Sequence, residues 1–161
     1  MKLLILKWQT LALFVSLILA ICFLKTTSAE DPTLYQHYTS GGVKTGLNAS
    51  SVAFTLNGKP FTIFGGSFHY FRVVPQYWRQ TLLQMKAAGL NSVMMYFPWN
   101  IHEPQQGHFD FTSEAVNIAR FLEEIKLADM FAIVRIGPYF CGEFELGGMP
   151  GWLLKNPAMK L

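Results

Sequence analysis

The stretch from Met130 to Glu145, MFAIVRIGPYFCGEFE, decides the fold of this chain. Met130 to Ile136 is a run of strand length that is apolar apart from Arg135, and the loop behind it carries Glu143 and Glu145. Strands of a parallel sheet read as such runs, because helices cover both faces of the sheet. The stretch therefore predicts a parallel strand with carboxylates at its carboxyl end, where parallel barrels place their ligand sites.

Two similar units precede this stretch. Ser92 to Phe97 is a second short apolar run. Between Tyr77 and Ala88 the apolar residues fall at helical spacing, which predicts a first helix. A second helix is predicted to begin at a cap, Thr112 or Ser113, and its broad apolar face runs from Val116 to Ile125. The predicted order is strand, helix, strand, helix, strand.

A hairpin is predicted before the first helix. Two apolar segments, Val52 to Leu56 and Phe61 to Phe64, flank the pair Asn57-Gly58, whose residue types tolerate positive φ angles. The second segment runs on into Gly65-Gly66-Ser67. Residues 30–51 are polar and show no sustained period, which indicates a loose lead-in.

Alternating strands and helices occur both in doubly wound sheets and in eight-stranded barrels. A doubly wound dinucleotide-binding sheet carries a glycine fingerprint after its first strand, whereas Gly65-Gly66-Ser67 leads into aromatic residues. We therefore predict an α/β fold with about three β/α units from the N-terminal part of a TIM (β/α)8 barrel, preceded by a β-hairpin. Because a complete barrel takes roughly 250 residues, residues 52–161 are expected to be a truncated one.

The N-terminus is typical of a secretory signal peptide. The apolar run from Leu11 to Leu24 is shorter than a membrane span, and small residues precede an expected cleavage after Ala29. The alternative is an uncleaved membrane anchor, because Lys25 interrupts the run late. Cleavage of residues 1–29 predicts entry into the secretory pathway, with the lysosome or vacuole or the extracellular space as destination and no membrane partner. The sequon Asn48-Ala49-Ser50 is a glycosylation candidate.

Charge and cysteine content argue against a nucleic-acid-binding protein and against a disulfide within the processed chain. Of the 13 basic residues, Lys2, Lys7 and Lys25 lie in the predicted leader, so the remainder balances the 10 acidic residues. No basic patch is left to bind nucleic acid. Cys22 also lies in the leader, and Cys141 is then the single cysteine, which rules out a disulfide within the processed chain.

Polar and aromatic side chains follow each of the three strand runs. Because the carboxyl ends of parallel strands meet at one rim, these side chains are expected to lie together. A sugar offers hydroxyls along its edges and C–H groups on its face, so its site needs carboxylates or amides beside aromatic rings. The pattern predicts a carbohydrate site. The residues are Ser67, His69, Tyr70 and Arg72 after the first run; Tyr96, Trp99, Asn100, His102 and Glu103 after the second; and Tyr139, Glu143 and Glu145 after the third.

Several of these residues also have a purely structural interpretation. Trp99 and Trp152 are typical packing residues rather than sugar platforms. His69 and His102 are interpreted as hydrogen-bonded loop histidines. Since His102-Glu103 lacks the His-Glu-x-x-His spacing on a helix, no metal or cofactor is predicted.

The charged residues divide between structural and binding roles. Arg72 and Arg135 are interpreted as ion-pair partners that hold the loop carboxylates in place. A binding role is favoured for Glu143, which lies in a glycine-rich loop at a strand end. Glu143 and Glu145 are expected to point to opposite sides of an extended loop. No serine nucleophile elbow, phosphate loop or cysteine–histidine signature is present.

A series of sequence blocks resembles the start of the catalytic barrel of glycoside hydrolase family 35, the β-galactosidases. The blocks follow one another in the family's order and extend from about Phe54 to Leu161. They are Gly65-Gly66-Ser67-Phe68-His69-Tyr70-Phe71-Arg72, Tyr77-Trp78-Arg79, Gly89-Leu90-Asn91, Tyr96-Phe97-Pro98-Trp99-Asn100, His102-Glu103-Pro104, Phe109-Asp110-Phe111, Gly137-Pro138-Tyr139 and Trp152-Leu153-Leu154. Departures from the family pattern lie at Ile136, Gly142, Phe144 and Pro75.

The resemblance implies substrate-binding roles for Tyr96, Cys141, Gly142 and Glu143, which would contact a terminal galactose. It implies no catalytic residue in this chain, because the family's acid/base glutamate follows the fourth strand and its nucleophile follows the seventh. The expected function is that of a fragment of a retaining β-galactosidase that removes terminal β-D-galactose from glycans or glycolipids without a cofactor. The fragment itself is expected to be inactive. The alternative is a non-catalytic secreted relative that binds a sugar or a partner.

Overall fold

The computed structural model describes residues 31–159. The predicted signal peptide, residues 1–29, and its Cys22 lie outside the described residues. Within residues 31–159, no helix has both the length and the apolar character that crossing a membrane requires.

The N-terminal part forms a small antiparallel sheet. Helix α1 (Leu34–Thr39) comes first in the chain. The sheet follows, with strands β1 (Leu47–Ala49), β2 (Phe54–Leu56) and β3 (Lys59–Pro60) in the order β1-β2-β3. Thr33 and Gln36 begin α1 with a capping box, in which each side chain accepts a hydrogen bond from the other residue's backbone. The prediction of a loose lead-in at residues 30–51 is wrong in this respect, because α1 and β1 lie there.

The predicted hairpin turn is confirmed. Asn57 and Gly58 have φ angles of 55° and 81°, and both lie between β2 and β3. Two consecutive positive φ angles are the hallmark of the type I′ turn, whose twist suits adjacent strands. The predicted position of the second strand at Phe61 to Phe64 is wrong: the strand is Lys59–Pro60, directly after the turn, and Phe61 to Phe64 lie outside it.

A second sheet of three parallel strands confirms the predicted β–α alternation. Strands β4 (Gly65–Ser67), β5 (Ser92–Phe97) and β6 (Phe131–Ile136) are ordered β4-β5-β6. Both pairs are parallel, so the three carboxyl ends lie at the same edge. Strand β4 lies on the glycines rather than on the apolar residues before them. The side chains of Leu90 and Met85 pack closely over Gly66, where a Cβ would come within 2.7 Å of Leu90 Cδ1.

Two long helices connect the parallel strands. They are α2 (Trp78–Ala87) and, after the short α3 (Trp99–His102), α4 (Ile118–Leu127). The predicted cap of α4 at Thr112 or Ser113 is wrong: the Asn117 side chain accepts from the Arg120 N–H at 2.9 Å. Single turns of 3₁₀ helix occupy Tyr70–Arg72, Pro75–Tyr77, Glu114–Val116, Glu145–Gly148 and Gly151–Lys155.

The hydrophobic core lies between the parallel sheet and these two helices. Alternate residues of β5 face α2 and α4, and aromatic side chains fill the space between the layers. Phe121 on α4 packs edge-on against Trp78 on α2, with ring centroids 5.1 Å apart. The buried members of the core are Phe68, Tyr70, Trp78, Leu82, Val93, Met95, Phe121, Ile125, Ala128 and Met130.

Candidate functional site

The loop that follows β6 is tied to the ends of the other two parallel strands. At the end of β5, the Tyr96 hydroxyl donates to the Cys141 carbonyl at 3.1 Å. From the segment after β4, Arg72 donates to the Gly142 carbonyl. Three strand ends therefore meet at one rim, and Tyr96, Cys141 and Gly142, which were predicted to act together, lie in contact.

Aromatic stacking surrounds Tyr96. Its side chain is only 8% exposed. Its ring stacks on His69 at 4.7 Å and on Phe140 at 4.6 Å, centroid to centroid. The Arg135 guanidinium lies 4.8 Å from the ring centroid and donates to the hydroxyl at 3.0 Å. Offset stacks and a cation over a ring each add attraction to the burial itself, so Tyr96 is held rigidly.

Gly142 fits closely against this stack. A Cβ at this position would lie 3.0 Å from Phe140 Cδ2 and 3.1 Å from Tyr96 Cε2. Those distances are shorter than ordinary carbon contacts of about 3.5 to 4.0 Å. The residue that departs from the family pattern here thus lets the loop backbone lie directly on the two rings.

His69 is a polar member of the stack. Its Nδ1 accepts a hydrogen bond from the Tyr96 backbone N–H at 3.2 Å. In the neutral ring the proton is therefore assigned to Nε2. Partial burial lowers the pKa of His69, and the nearby positive charge of Arg72 lowers it further. The interpretation of His69 as a hydrogen-bonded loop histidine is confirmed.

Glu143 is exposed and comes directly after Cys141 and Gly142 in the chain, whose carbonyls accept the two hydrogen bonds described above. Its φ angle is 44°, and the 3₁₀ turn of Glu145–Gly148 follows, so the expected extended loop is not what forms. Two glycines allow this tight path. A Cβ on Gly147 would come within 2.1 Å of the Tyr139 ring, and one on Gly148 within 2.2 Å of the Phe140 ring.

The predicted ion pairs of Arg72 and Arg135 do not form. Within residues 31–159 neither guanidinium lies within salt-bridge distance of a carboxylate. Their partners are the Gly142 carbonyl and the Tyr96 hydroxyl. A guanidinium presents several donors and accepts equally well a carbonyl or hydroxyl partner, a choice that residue types alone do not reveal.

The residues after β5 form a packed structural cluster beside the loop. His102 is 1% exposed and bonds to the Tyr70 hydroxyl at 2.6 Å and to the Asp110 carbonyl at 2.7 Å. Burial lowers the pKa of His102 and raises that of Tyr70. Phe97 stacks on the His102 ring at 4.4 Å. His102 is hydrogen-bonded as predicted, but it is the last residue of the short helix α3 rather than a loop residue.

Glu103 has a structural role in this cluster. Its carboxylate accepts from Trp99 Nε1 at 2.5 Å and from the Gly107 N–H at 2.7 Å, and the residue is 5% exposed. Trp152 Nε1 donates to the Glu103 carbonyl at 3.0 Å and packs edge-on against Trp99. The interpretation of both tryptophans as packing residues is confirmed, and Glu103 is not free to act on a ligand.

Two other predicted site residues, Cys141 and Asn48, lie at the surface. Cys141 is exposed and unpaired among the described residues. Asn48 lies on β1, is exposed, and donates to the Thr45 carbonyl at 3.0 Å, so its glycosylation stays a prediction. Across residues 31–159, no group of three or more His, Cys, Asp or Glu side chains is arranged to hold a metal ion.

Sequence reasoning missed the supporting half of the site. It selected Tyr96 and the loop residues but not Phe140, which is 3% exposed and completes the stack. The available signal was the Gly142 departure, because a missing side chain beside an aromatic residue indicates close contact between backbone and ring. Chemically, the rim offers an exposed carboxylate, Glu143, in a loop supported by a buried aromatic stack, and this carboxylate can accept hydrogen bonds from hydroxyls.

The sequence is similar to proteins of known family. Residues 53–161 match the family described as Glycosyl hydrolases family 35. The chain is 48% identical over 116 residues to human beta-galactosidase-1-like protein 2, which covers 72% of this chain and 18% of that protein. It is 42% identical over 115 residues to mouse beta-galactosidase, covering 71% and 18% respectively. This chain thus spans about a fifth of the length of these curated relatives.

A solved structure shares the fold. The crystal structure of an endogalactoceramidase superposes with a TM-score of 0.50 and 18% identity, covering 67% of this chain and 30% of that one. At this identity the likeness concerns the parallel β–α arrangement only. The family match and the identities of the relatives go further: the chain belongs to glycosyl hydrolases family 35.

Proposed function

We propose that this chain is the N-terminal part of the TIM barrel of a retaining β-galactosidase. The complete protein would remove terminal β-D-galactose from glycans or glycolipids. Within it, Tyr96, Cys141, Gly142 and Glu143 would form one wall of the galactose pocket. The observation that carries the proposal is the position of Glu143, exposed behind two carbonyls that the neighbouring strand ends hold in place.

The chemistry of a sugar fits this wall. An ionised carboxylate accepts hydrogen bonds only, so Glu143 would pair with galactose hydroxyls as their acceptor. Bonds to a charged acceptor are stronger than neutral ones, which gives such a residue weight in recognition. The Tyr96 ring, stacked on His69 and Phe140 and almost fully buried, would support the loop that carries Glu143 rather than contact the sugar through its face.

The proposed reaction needs groups beyond this wall. Retaining hydrolysis uses two carboxyl groups about 5 to 5.5 Å apart, one as acid/base and one as nucleophile in a covalent galactosyl intermediate. Glu103 is occupied by Trp99 and Gly107, and Glu143 is assigned to binding. The resemblance to family 35 implies that the catalytic pair follows the fourth and seventh strands of the complete protein, and we propose on that basis that the 161-residue chain is inactive.

The proposed cellular route is the secretory pathway. Cleavage after Ala29 would release the chain towards the lysosome or vacuole or the extracellular space, with Asn48 glycosylated on the way. N-terminal sequencing of the secreted product tests the cleavage, since an intact leader would favour the membrane-anchored alternative instead.

A binding experiment tests the proposed function. The chain, made in a secretory host that can process its leader, is titrated with galactose and with glucose, its C4 epimer, while backbone amide chemical shifts are recorded. We expect shifts for galactose only, centred on residues 139–148, and an affinity about tenfold weaker in Glu143→Gln, which keeps the side-chain size but removes its charge. Glu123→Gln, an exposed carboxylate on α4, is the matched control.

An activity assay accompanies the titration. We expect no hydrolysis of a chromogenic β-galactoside by the purified chain. Clear turnover would contradict the assignment of the catalytic pair to later strands, and unchanged galactose binding in Glu143→Gln would contradict the proposed wall.

One observation favours partner binding as a second candidate. An apolar groove of about 290 Å³ follows the ends of β5 and β6, and part of its lining is strongly exposed, with Ile136 at 77% and Phe109 at 61%. A non-catalytic relative would use such a surface to bind another protein. The transcript separates the two: coding sequence after Leu161 that carries further strands supports the galactosidase, and a stop codon there supports the second candidate.

A further inference from the structure

Two consecutive carbonyls of the site loop are held by side chains from two other strand ends. Arg72, after β4, donates to the Gly142 carbonyl, and Tyr96, on β5, donates to the Cys141 carbonyl at 3.1 Å. Each carbonyl lies in the plane of its own peptide group, so holding both carbonyls fixes the planes of the two peptide groups that lead to Glu143. The direction in which the chain enters Glu143 is therefore set from outside the loop.

Arg135 takes part through Tyr96. Its Nη1 donates to the Tyr96 hydroxyl oxygen at 3.0 Å, and the guanidinium also lies against the ring. A tyrosine hydroxyl has one proton to donate. With Arg135 as donor to the oxygen, that proton is directed to the Cys141 carbonyl. Arg135 lies on β6 itself, so the strand that leads into the loop also fixes the bond that restrains it.

The backbone of the loop includes two residues with unfavourable φ angles, which need support from their surroundings. Glu143 and Leu146 have φ angles of 44° and 47°, a region that side chains other than glycine and asparagine seldom occupy. Its internal hydrogen bonds run from the Phe140 N–H to the Gly147 carbonyl and from the Gly147 N–H to the Phe144 carbonyl, both at 2.9 Å. Positive φ angles persist where the surroundings over-determine them, and the two carbonyl contacts supply that constraint.

We propose that Arg72 and Arg135 are positioning residues, which together form a two-arginine clamp on the loop and thereby place Glu143 for sugar binding. The sugar-binding part rests on the proposed function. Neither arginine is assigned a contact with the sugar: Arg72 acts on the loop backbone, and Arg135 acts through the Tyr96 hydroxyl.

Amide hydrogen exchange of the 161-residue chain tests the clamp without any ligand. In Arg72→Ala and Arg135→Ala, we expect the amides of Phe140 and Gly147 to exchange about tenfold faster, because a restraint from a charged donor is lost. The amide of Phe121, which donates to the Asn117 carbonyl in α4, should keep its rate. The matched control is Arg79→Ala, which removes an arginine that pairs with Glu124.

A conservative variant separates positioning from folding. Arg72→Lys keeps the charge and a donor of similar reach, so we expect the exchange rates at Phe140 and Gly147 to return most of the way to those of the parent chain. Faster exchange at Phe121 as well would mean general unfolding of that variant, and the Lys variant would then decide. Parent-like rates at Phe140 and Gly147 in both alanine variants would overturn the clamp.

A double-mutant cycle tests the connection to Glu143. If the clamp acts through Glu143, Arg72→Ala weakens galactose binding about threefold or more in the parent chain but much less in Glu143→Gln, because coupled residues are not additive. Equal weakening in both backgrounds would overturn the positioning of Glu143. If the parent chain binds no galactose, the proposed function fails with it, whereas the exchange rates still decide whether the arginines hold the loop.

Discussion

Two neighbouring strands of equal length, β5 and β6, differ sharply in burial. Both have six residues and both were predicted from apolar runs. In β5, Val93 and Met95 are 0% exposed, whereas in β6 Val134 is 38% and Ile136 77% exposed. The register places Val134 beside Met95, so the difference arises between directly paired residues.

The cause lies in what surrounds each strand. β5 is paired with β4 on one side and β6 on the other, and α2 and α4 cover its core face. Within residues 31–159, β6 has a strand neighbour on one side only. An apolar run therefore predicts that a strand forms, and the neighbours decide how much of it is buried. The predictions below test this contrast.

The largest expected effect comes from the same substitution in each strand. Val93→Ala removes two methyl groups from a fully buried site and should lower the free energy of unfolding by about 2 kcal/mol, including the cavity left behind. Val134→Ala loses the same β propensity and less buried surface, because Val134 is 38% exposed, and should cost about 1 kcal/mol. Urea unfolding of both variants measures the difference.

The matched chemistry makes this pair decisive. Because both substitutions are Val→Ala on paired strands, intrinsic strand preference cancels in the comparison. Equal losses of stability would contradict the view that neighbours rather than the apolar pattern determine what each strand contributes.

The interior strand could be predicted from sequence to the residue. The run Ser92–Phe97 is bounded by Gly89 before it and Pro98 after it, and both residues stop regular structure for reasons of backbone geometry. The Asn57-Gly58 turn was equally readable, since few residues accept two positive φ angles in succession. Features fixed by local backbone chemistry are thus the ones that the sequence discloses.

Features fixed by distant contacts were not readable. The first parallel strand was predicted among the apolar residues before Gly65, but it lies on Gly65–Ser67, which pair with Ser92–Met94 of β5. The partners of Arg72 and Arg135 depend on where the loop after β6 folds back. Of the site, the sequence identified the residues at the rim, and the contacts that support them became visible only in three dimensions.

The next effect depends on pH and concerns the covered end of β5. Burial lowers the pKa of His102 below its ordinary value, so the unfolded chain binds protons there more readily than the folded one. The contribution of His102 to stability is complete above the unfolded pKa of about 6.5 and declines as the pH falls below it. We expect the urea midpoint to fall between about pH 7.5 and about pH 5.

Two other groups must be separated from His102. The pKa of Asp110 is lowered to about 2 by hydrogen bonds from the side chain and backbone of Ser113 and the backbone of Thr112. Its contribution is lost only as the pH falls through its ordinary 3.8 towards 2, below this window. His69 titrates in the same direction as His102. The variant His102→Gln should therefore reduce the pH dependence without abolishing it, and an unchanged dependence would count against burial at this end.

The smallest expected effect concerns Asp129, which lies just before β6 and is hydrogen-bonded, whereas Ile136 at the end of the strand is exposed. Asp129 accepts from the Leu34 N–H at 2.7 Å and from Lys86 Nζ at 2.9 Å, which ties the strand to α1 and α2. Asp129→Asn tolerates the φ angle of 54° and keeps an acceptor but loses the charge, so we expect a cost of about 1 kcal/mol in urea unfolding. Glu123→Gln, whose partner Lys126 is 3.6 Å away, should cost less than about 0.5 kcal/mol because that pair is exposed. If Asp129→Asn costs no more than this control, the hydrogen bonds of Asp129 do not hold the start of β6. The two strands would then differ only in how deeply their side chains are buried.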